Sequence, residues 1–131
     1  MNMVIGGACQ GKRACAKALY PGKTWLDGAV CDREEIFTCE GIYHLEEYIR
    51  REMKAGEAME DFAERLIQKN PELVIVCNEI GYGLVPIDAF ERKFREQTGR
   101  ICTKLAAFSK RVDRVVCGIA NTIKGGMENE C

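Results

Sequence analysis

The chain has 131 residues, with 19 lysines and arginines against 20 aspartates and glutamates, so its formal net charge at pH 7 is −1. This balance argues against a protein that binds nucleic acid or a membrane surface through a basic face. The length predicts a single domain over residues 1–131. No stretch is apolar over the length of a membrane span, and residues 1–5 lack the features of a signal peptide, so a cytoplasmic protein is expected.

The chain has eight cysteines, and none of them forms the C-x-x-C pair that is typical of metal sites. Several lie in apolar runs, as Cys77 does after Val76, where a thiol behaves as a small hydrophobic group. A reducing cytoplasm also disfavours disulfides. The sequence therefore predicts no zinc or iron–sulfur site and no structural disulfide.

Near the start of the chain, residues 6–13 read GGACQGKR, which fits the G-x-x-x-x-G-K pattern of a phosphate-binding loop. A short apolar run at 2–5 predicts a strand before the loop, and the alanine-rich segment 12–19 predicts a helix after it. In such a loop, backbone N–H groups and the helix N-terminus face the phosphates, and Lys12 reaches the outer ones. The predicted nucleotide-binding residues are Gly6, Gly7, Ala8, Cys9, Gln10, Gly11, Lys12 and Arg13.

Arg13 stands where this pattern usually has a serine or threonine, whose hydroxyl binds Mg²⁺. A guanidinium cannot ligate a cation. Mg²⁺ would then be held by water and carboxylates, or Arg13 itself would neutralise phosphate charge. We therefore expect ATP or GTP to bind with an unusually weak dependence on Mg²⁺.

The middle of the chain gives a mixed pattern. Residues 28–31 are a candidate second strand, and residues 36–39 are either a third strand or part of a loop. Helical spacing of apolar residues predicts helices over 42–69, broken near Gly56, and over 87–109.

Two further apolar runs predict the centre of a sheet. Residues 73–77 and 114–119 are rich in β-branched residues and show no alternation, which is typical of parallel strands buried on both faces. We expect them to lie beside the strand at 2–6. Strands that alternate with helices predict an α/β fold, a three-layer domain with a mainly parallel sheet.

Candidate catalytic side chains follow some of these strands. Glu79 comes directly after 73–77, at the carboxyl end where open α/β sheets bind ligands. It could orient magnesium-bound water or activate a hydroxyl, or it could simply order the loop. Asp32, after the candidate strand 28–31, is a possible Walker-B-type acid. His44 is interpreted as an exposed or half-buried helix residue. A solvated helix surface is expected for Glu34, Glu35, Glu46 and Glu47.

The second half of the chain, residues 72–124, resembles the bifunctional adenosylcobinamide kinase / adenosylcobinamide-phosphate guanylyltransferase family. The family's N-E-x-G-x-G-x-V-P segment is matched by Asn78, Glu79, Gly81, Gly83, Val85 and Pro86. Its G-R-x-x-x-x-L-A pattern is matched by Gly99, Arg100, Leu105 and Ala106. The last strand and the I-K ending correspond to residues 115–124, and the opening G-G-x-x-x-G-K matches as well.

This resemblance implies a P-loop fold of the RecA type and a purine nucleoside triphosphate as ligand. It implies phosphorylation of the aminopropanol hydroxyl of adenosylcobinamide, followed by transfer of GMP through a guanylylated histidine. Lys12 and Glu79 would then be catalytic, with Asn78, Gly81 and Gly83 in a loop near the site. The family's H-x-x-x-R-P-type histidine motif has no match, which argues against the guanylyltransferase half-reaction.

The leading hypothesis is a shortened, cobinamide kinase-like phosphotransferase. The alternatives are a non-catalytic nucleotide-binding protein derived from the same family and a degenerate domain that binds no nucleotide. Arg13, the missing histidine motif and the shortened segment 20–70 favour the non-catalytic nucleotide-binding protein, whereas the Gly-Lys pair and the N-E-x-G-x-G segment favour the enzyme. The expected partners are a nucleoside triphosphate, a corrinoid acceptor if the protein is active, and further copies of the chain in a homo-oligomer.

Overall fold

Strands and helices alternate along the chain in the computed structural model, which describes residues 1–7, 11–79 and 88–125. The first half contains β1 (Asn2–Gly6), α1 (Lys12–Leu19), β2 (Trp25–Asp27), a 3₁₀ helix (Arg33–Phe37), β3 (Gly41–Tyr43) and α2 (Leu45–Lys54). The second half contains α3 (Phe62–Lys69), β4 (Val74–Asn78), α4 (Ala89–Phe108), β5 (Arg111–Val116) and β6 (Ile119–Lys124).

The strands form one sheet in the order β2-β3-β4-β1-β5-β6. All neighbours are parallel except β5 and β6, which are antiparallel. In the centre, Val4 of β1 lies opposite Val76 of β4 and Asp113 of β5. The α/β fold class is confirmed, as is the parallel arrangement of the three central strands.

The helices cover both faces of the sheet. Alternate residues of β1 and β4 point to opposite sides, because successive side chains in a strand do so. Met3 and Ile75 join the larger core beneath α2, α3 and α4, whereas Val4 and Val76 pack beneath α1. Burial of β-branched and aliphatic side chains on both faces is what the unalternating apolar runs predict.

The predicted strand over 28–31 is wrong. The strand in this part of the chain is β2, which ends at Asp27, before the predicted range. The residues after it form a turn in which the N–H groups of Val30 and Cys31 donate to the Asp27 carbonyl. The Asp27 carboxylate also accepts from the Ala29 N–H, an Asx turn that competes with strand pairing. Segment 36–39 lies at the end of the 3₁₀ helix and in the turn after it, and β3 follows at Gly41–Tyr43.

The predicted bounds of the last strand, 114–119, are also wrong, because the chain reverses inside them. β5 ends at Val116, and β6 returns antiparallel from Ile119. Cys117 and Gly118 between them have φ angles of 52° and 78°, which is the left-handed geometry of a two-residue hairpin turn. The apolar run V-V-C-G-I therefore belongs to two strands, and Gly118 was the only local signal of the turn.

The helix predictions are confirmed in outline. The predicted break near Gly56 separates α2 from α3, and Gly56 has a φ of 85°. α2 starts later than predicted because β3 occupies the first residues of that range. Among residues 1–7, 11–79 and 88–125, no helix combines the length and the apolar composition needed to cross a bilayer.

Six cysteines fall within the described ranges, and all six are thiols. Burial raises the pKa of Cys39 to about 11. The thiolate is the reactive form, so iodoacetamide at pH 8 should modify Cys39 slowly and the exposed Cys117 first. Mass spectrometry of timed samples measures both rates, and the reaction at Cys39 should accelerate as the pH rises toward 10. Equal rates in the folded protein would contradict this expectation, whereas equal rates after denaturation are the control.

Candidate functional site

The carboxyl ends of the two central strands β1 and β4 meet beside the start of α1. Gly6 at the end of β1 pairs with Asn78 at the end of β4, and the Glu79 N–H donates to the Gly6 carbonyl over 2.7 Å. The structure thus brings Asn78 and Glu79 to the start of the predicted phosphate loop, at the sheet edge where open α/β folds bind ligands. The remaining predicted site residues, Ala8, Cys9, Gln10, Gly81 and Gly83, lie outside the described residues, as do Val85 and Pro86.

The two glycines that frame the loop are required by its geometry. A Cβ at Gly6 would lie 2.6 Å from the Val115 carbonyl oxygen, so only glycine fits between β1 and β5 at this point. Gly11, at the N-terminus of α1, has a φ of 84°, which is the left-handed conformation that favours glycine. These positions explain the first and last glycines of the sequence pattern.

Lys12 is held against this backbone. Its side chain is only 7% exposed, and its Nζ donates to the Gly7 carbonyl over 2.6 Å. A Cβ at Gly6 would lie 3.3 Å from the Lys12 side chain, so the aliphatic part of the lysine runs along the end of β1. The ammonium group is thereby held beside the end of β1 rather than in bulk solvent.

Arg13, the next residue, packs against an aromatic ring of the sheet. Its guanidinium carbon lies 3.9 Å from the centroid of the Tyr43 ring, in a cation–π contact. Tyr43 is the last residue of β3, which is separated from β1 by β4 in the sheet. The contact therefore joins the first turn of α1 to β3.

Glu79 is fixed by an arginine that the sequence analysis did not single out. Arg114 of β5 donates from Nε to one carboxylate oxygen over 2.8 Å and from Nη2 to the other over 3.1 Å. Such bidentate pairs hold a carboxylate in one orientation. The geometry favours a role for Glu79 in ordering this edge of the site.

Asp32 has a capping role in the structure. It precedes the 3₁₀ helix, where its side chain accepts from the backbone of Glu35 and its N–H donates to the Glu35 carboxylate over 2.8 Å. The strand that would make it a Walker-B-type acid is absent, because residues 28–31 form a turn.

The acid at the end of a neighbouring strand is instead Asp27, which the sequence analysis missed. Asp27 ends β2, and His44 directly follows β3. Because β2 and β3 are parallel and paired, the two side chains meet, with His44 Nδ1 2.9 Å from Asp27 Oδ1. His44 is half-exposed, as expected, but it is one half of a carboxylate–imidazole pair.

Electrostatics keep Asp27 ionised. Its partial burial would raise the pKa, but hydrogen bonds from the Ala29 N–H and from His44, together with the charges of His44 and Arg13, outweigh that effect. The pKa of Asp27 is therefore lowered from its ordinary value. An ionised carboxylate accepts a hydrogen bond, so it favours the histidine tautomer that carries its proton on Nδ1.

Glu46 contradicts the expectation of a solvated surface. It lies in the first turn of α2 but is 4% exposed, and its carboxylate accepts from the Asn78 N–H over 3.0 Å. The side chain thus satisfies a backbone donor at the carboxyl end of β4. Helical periodicity gave no signal for this, because the partner lies on a strand 32 positions later.

A small cavity of about 160 Å³ opens beside these strand ends, between β4 and α4. Cys77, Asn78, Glu79 and Cys102 line it, together with Thr98, whose buried hydroxyl has no hydrogen-bond partner among the described residues. Within the described ranges, no group of three or more histidine, cysteine, aspartate or glutamate side chains could hold a metal ion. The carboxyl ends of these strands therefore carry cations, carboxylates and one imidazole. Such a set of side chains suits binding of an anionic ligand and transfer of a proton.

Sequence similarity relates the chain to a known protein family. Residues 23–123 match the sequence model of the family described as cobinamide kinase / cobinamide phosphate guanyltransferase, CobU. The bifunctional adenosylcobalamin biosynthesis proteins CobU of Salmonella typhimurium (strain LT2) and Escherichia coli (strain K12) are each 43% identical to the chain over 53 residues. That segment is 40% of this chain and 29% of each relative.

The chain thus matches less than a third of the length of these curated relatives, and the phosphate-loop residues precede the range that matches the family model. That range nevertheless covers most of the chain. The mostly parallel α/β sheet agrees with the P-loop-like fold of the family. The resemblance inferred from the sequence is confirmed: the protein belongs to the cobinamide kinase / cobinamide phosphate guanyltransferase family.

Proposed function

We propose that this protein is a nucleotide-dependent kinase, with residues 1–131 acting as one domain, that phosphorylates the aminopropanol hydroxyl of adenosylcobinamide. The observation that carries this proposal is the position of Lys12. Its ammonium group is held by the Gly7 carbonyl at the start of α1, in a member of a family described as cobinamide kinases. An incoming phosphate would take the place of the carbonyl as the partner of the lysine.

The start of α1 supports binding of an anion. The first turn contains no acidic residue, no side chain caps it, and it carries both Lys12 and Arg13. The N–H groups and the dipole of a helix N-terminus favour a phosphate there. We propose that Gly6, Gly7, Gly11 and these two cations, together with Ala8, Cys9 and Gln10, form the nucleotide site for ATP or GTP.

The guanylyltransferase step is not part of the proposal. The sequence lacks the H-x-x-x-R-P-type motif, and the single histidine, His44, is paired with Asp27. The alternative of a non-catalytic nucleotide-binding protein is favoured by one observation. Arg13 replaces the serine or threonine whose hydroxyl usually ligates Mg²⁺, and its guanidinium lies over the Tyr43 ring.

Titration calorimetry with ATP and with GTP, each with and without Mg²⁺, tests the nucleotide site. Turnover on adenosylcobinamide with a γ-³²P-labelled nucleotide then tests the kinase. We expect binding of at least one nucleotide and transfer of the label to the corrinoid. Binding without transfer would support the non-catalytic alternative. Absence of binding by either nucleotide would overturn the proposal altogether.

Arg13→Ser should increase the benefit that Mg²⁺ gives to nucleotide binding. The change removes a positive charge and supplies a hydroxyl, which can ligate the cation. The measurement is the ratio of nucleotide affinities with and without Mg²⁺, and this ratio should rise relative to wild type. Lys17→Ser, an exposed position on the same helix, is the matched control for loss of one positive charge. An unchanged ratio in Arg13→Ser would show that residue 13 does not contact the metal.

A further inference from the structure

We propose that His44 is the general base that takes the proton from the acceptor hydroxyl, and that Asp27 is the residue that positions it. This inference rests on the proposed kinase function and assigns the catalytic proton transfer of that reaction to a pair at the ends of β2 and β3. The sequence patterns gave no role to either residue.

The hydrogen bond between the two side chains fixes which nitrogen of His44 can act. Asp27 is itself held at the end of β2 by the Ala29 N–H, over 2.9 Å. Its carboxylate accepts from His44 Nδ1 over 2.9 Å, so the neutral imidazole carries its lone pair on Nε2. No other hydrogen bond to this ring is present among the described residues, and the side chain is 38% exposed. Nε2 is therefore available to a ligand.

The backbone of His44 is held in the left-handed region, which is uncommon for residues other than glycine. Its φ of 62° and ψ of 44° are left-handed, a region that glycine and asparagine adopt more readily. The N–H groups of Glu47 and Tyr48 donate to its carbonyl over 3.0 and 3.2 Å, and Gly28 packs directly against that carbonyl. Strain that the surrounding structure holds in place is typical of functional positions.

Side-chain contacts connect the pair to the first turn of α1. Arg13, next to Lys12, contacts the Tyr43 ring, and that ring meets the His44 ring edge-to-face with centroids 5.2 Å apart. A continuous set of contacts therefore runs from the first turn of α1 to the imidazole. Glu79, the other candidate base, already has both carboxylate oxygens bound by Arg114.

The charged groups around His44 leave Asp27 as its acidic partner. From β2 the imidazole faces Asp27, and from α1 the Arg13 guanidinium lies on the neighbouring Tyr43 ring. From α2, Glu46 is bound to the Asn78 N–H and Glu47 pairs with Arg50. From the same helix, Arg51 donates to the carbonyls of Gly28 and Cys31.

Proton transfer to His44 accompanies phosphoryl transfer and needs no further reagent. As the acceptor oxygen forms its bond to the γ-phosphorus, its proton passes to His44 Nε2. The bond between the γ-phosphorus and the β–γ bridging oxygen breaks, and the nucleoside diphosphate leaves with that electron pair. The imidazolium, stabilised by the Asp27 carboxylate, then loses the proton to solvent.

The test uses His44→Asn and His44→Gly, because both residues tolerate the left-handed backbone and should fold normally. General bases contribute roughly 10²–10⁴-fold to the rate, so kcat for transfer to adenosylcobinamide should fall by at least about 100-fold in His44→Asn. Nucleotide affinity by calorimetry should be unchanged. Added imidazole should partly restore the rate of His44→Gly.

The pH profile separates catalysis from a structural role. In wild type, kcat/KM should fall at acid pH because a protonated base cannot accept the proton, and His44→Asn should lose this dependence. Asp27→Asn should lower kcat and shift ¹⁵N NMR signals of the single imidazole toward the other tautomer, whereas Asp61→Asn, at an exposed position, should do neither.

Each failure has a distinct meaning. If wild type phosphorylates adenosylcobinamide and His44→Asn keeps its rate and pH profile, the base assignment is overturned and the kinase stands. If wild type binds nucleotide but does not use the corrinoid, the proposed function fails. Nucleotide hydrolysis, with water as the acceptor, then decides: a loss in His44→Asn supports the base, and no loss overturns it. A covalent nucleotide on His44 would make the ring a nucleophile and overturn the base assignment.

Discussion

Replacing Lys12 with methionine should weaken binding of ATP or GTP by about 1.5–3 kcal/mol, the scale of a hydrogen bond to a charged group, or roughly 10- to 150-fold in Kd. Methionine keeps most of the aliphatic stem that packs along Gly6, so the end of β1 should remain intact. What is lost is the ammonium group, which now donates to the Gly7 carbonyl. Calorimetric titration with each nucleotide measures the change.

The matched control is Lys17→Met on the same helix. Lys17 is exposed in the last turn of α1, away from the loop, and its replacement should leave the affinity unchanged. Urea unfolding of both variants checks that neither loses stability. If Lys12→Met binds nucleotide as tightly as wild type, the loop does not function as a phosphate site and the kinase proposal falls with it.

The centre of the sheet could be predicted from the sequence because its signals are local and strong. β4 is a run of β-branched residues that is buried on both faces, and β1 ends in the glycine that begins the loop. Such runs fit the interior of a parallel sheet covered by helices. The helices flanking them follow from apolar spacing. Composition and periodicity alone were therefore enough for β1, β4 and the class of fold.

The two strands on the outer side of β4, which are β2 and β3, could not be predicted in the same way. β2 and β3 have only three residues each, too few for a periodic pattern. Their pairing depends on contacts between distant residues, such as Trp25 with Gly41, where a Cβ would collide with the indole ring. The strand order that places β3 beside β4 is a tertiary property with no local signature.

The candidate site likewise contains some residues that could be predicted from the sequence and others that could not. The glycines and Lys12 were found because the phosphate loop is contiguous in sequence. The pair of Asp27 and His44 was missed because it joins residues 17 positions apart through the pairing of two short strands. The available signal was weak: each residue ends or directly follows a short apolar run, which is where parallel strands present side chains to a ligand.

The largest effect on stability is expected in β5, where the Asp113 carboxylate is fully buried. Asp113 is 0% exposed in a strand that pairs with β1, and it accepts from Arg111 Nε over 2.8 Å and from the Thr122 hydroxyl. Within the described part of the chain, replacing Arg111 with methionine would leave this charge with the Thr122 hydroxyl as its remaining side-chain partner. An uncompensated buried charge typically costs about 3–5 kcal/mol of stability. Because Arg111 is partly exposed, we expect its replacement to lower the free energy of unfolding by about 3 kcal/mol.

Urea unfolding of Arg111→Met against Arg100→Met provides the comparison. Arg100 pairs with Glu96 on the exposed face of α4, with both side chains more than half exposed, so its loss should change the free energy of unfolding by no more than about 0.5 kcal/mol. The double variant Arg111→Met with Asp113→Leu should recover most of the stability, because replacing both partners of a buried pair with apolar residues removes the orphaned charge. If Arg111→Met unfolds as readily as Arg100→Met, then the Asp113 carboxylate does not depend on Arg111. If the double variant fails to recover, the guanidinium stabilises the strand through packing rather than through charge.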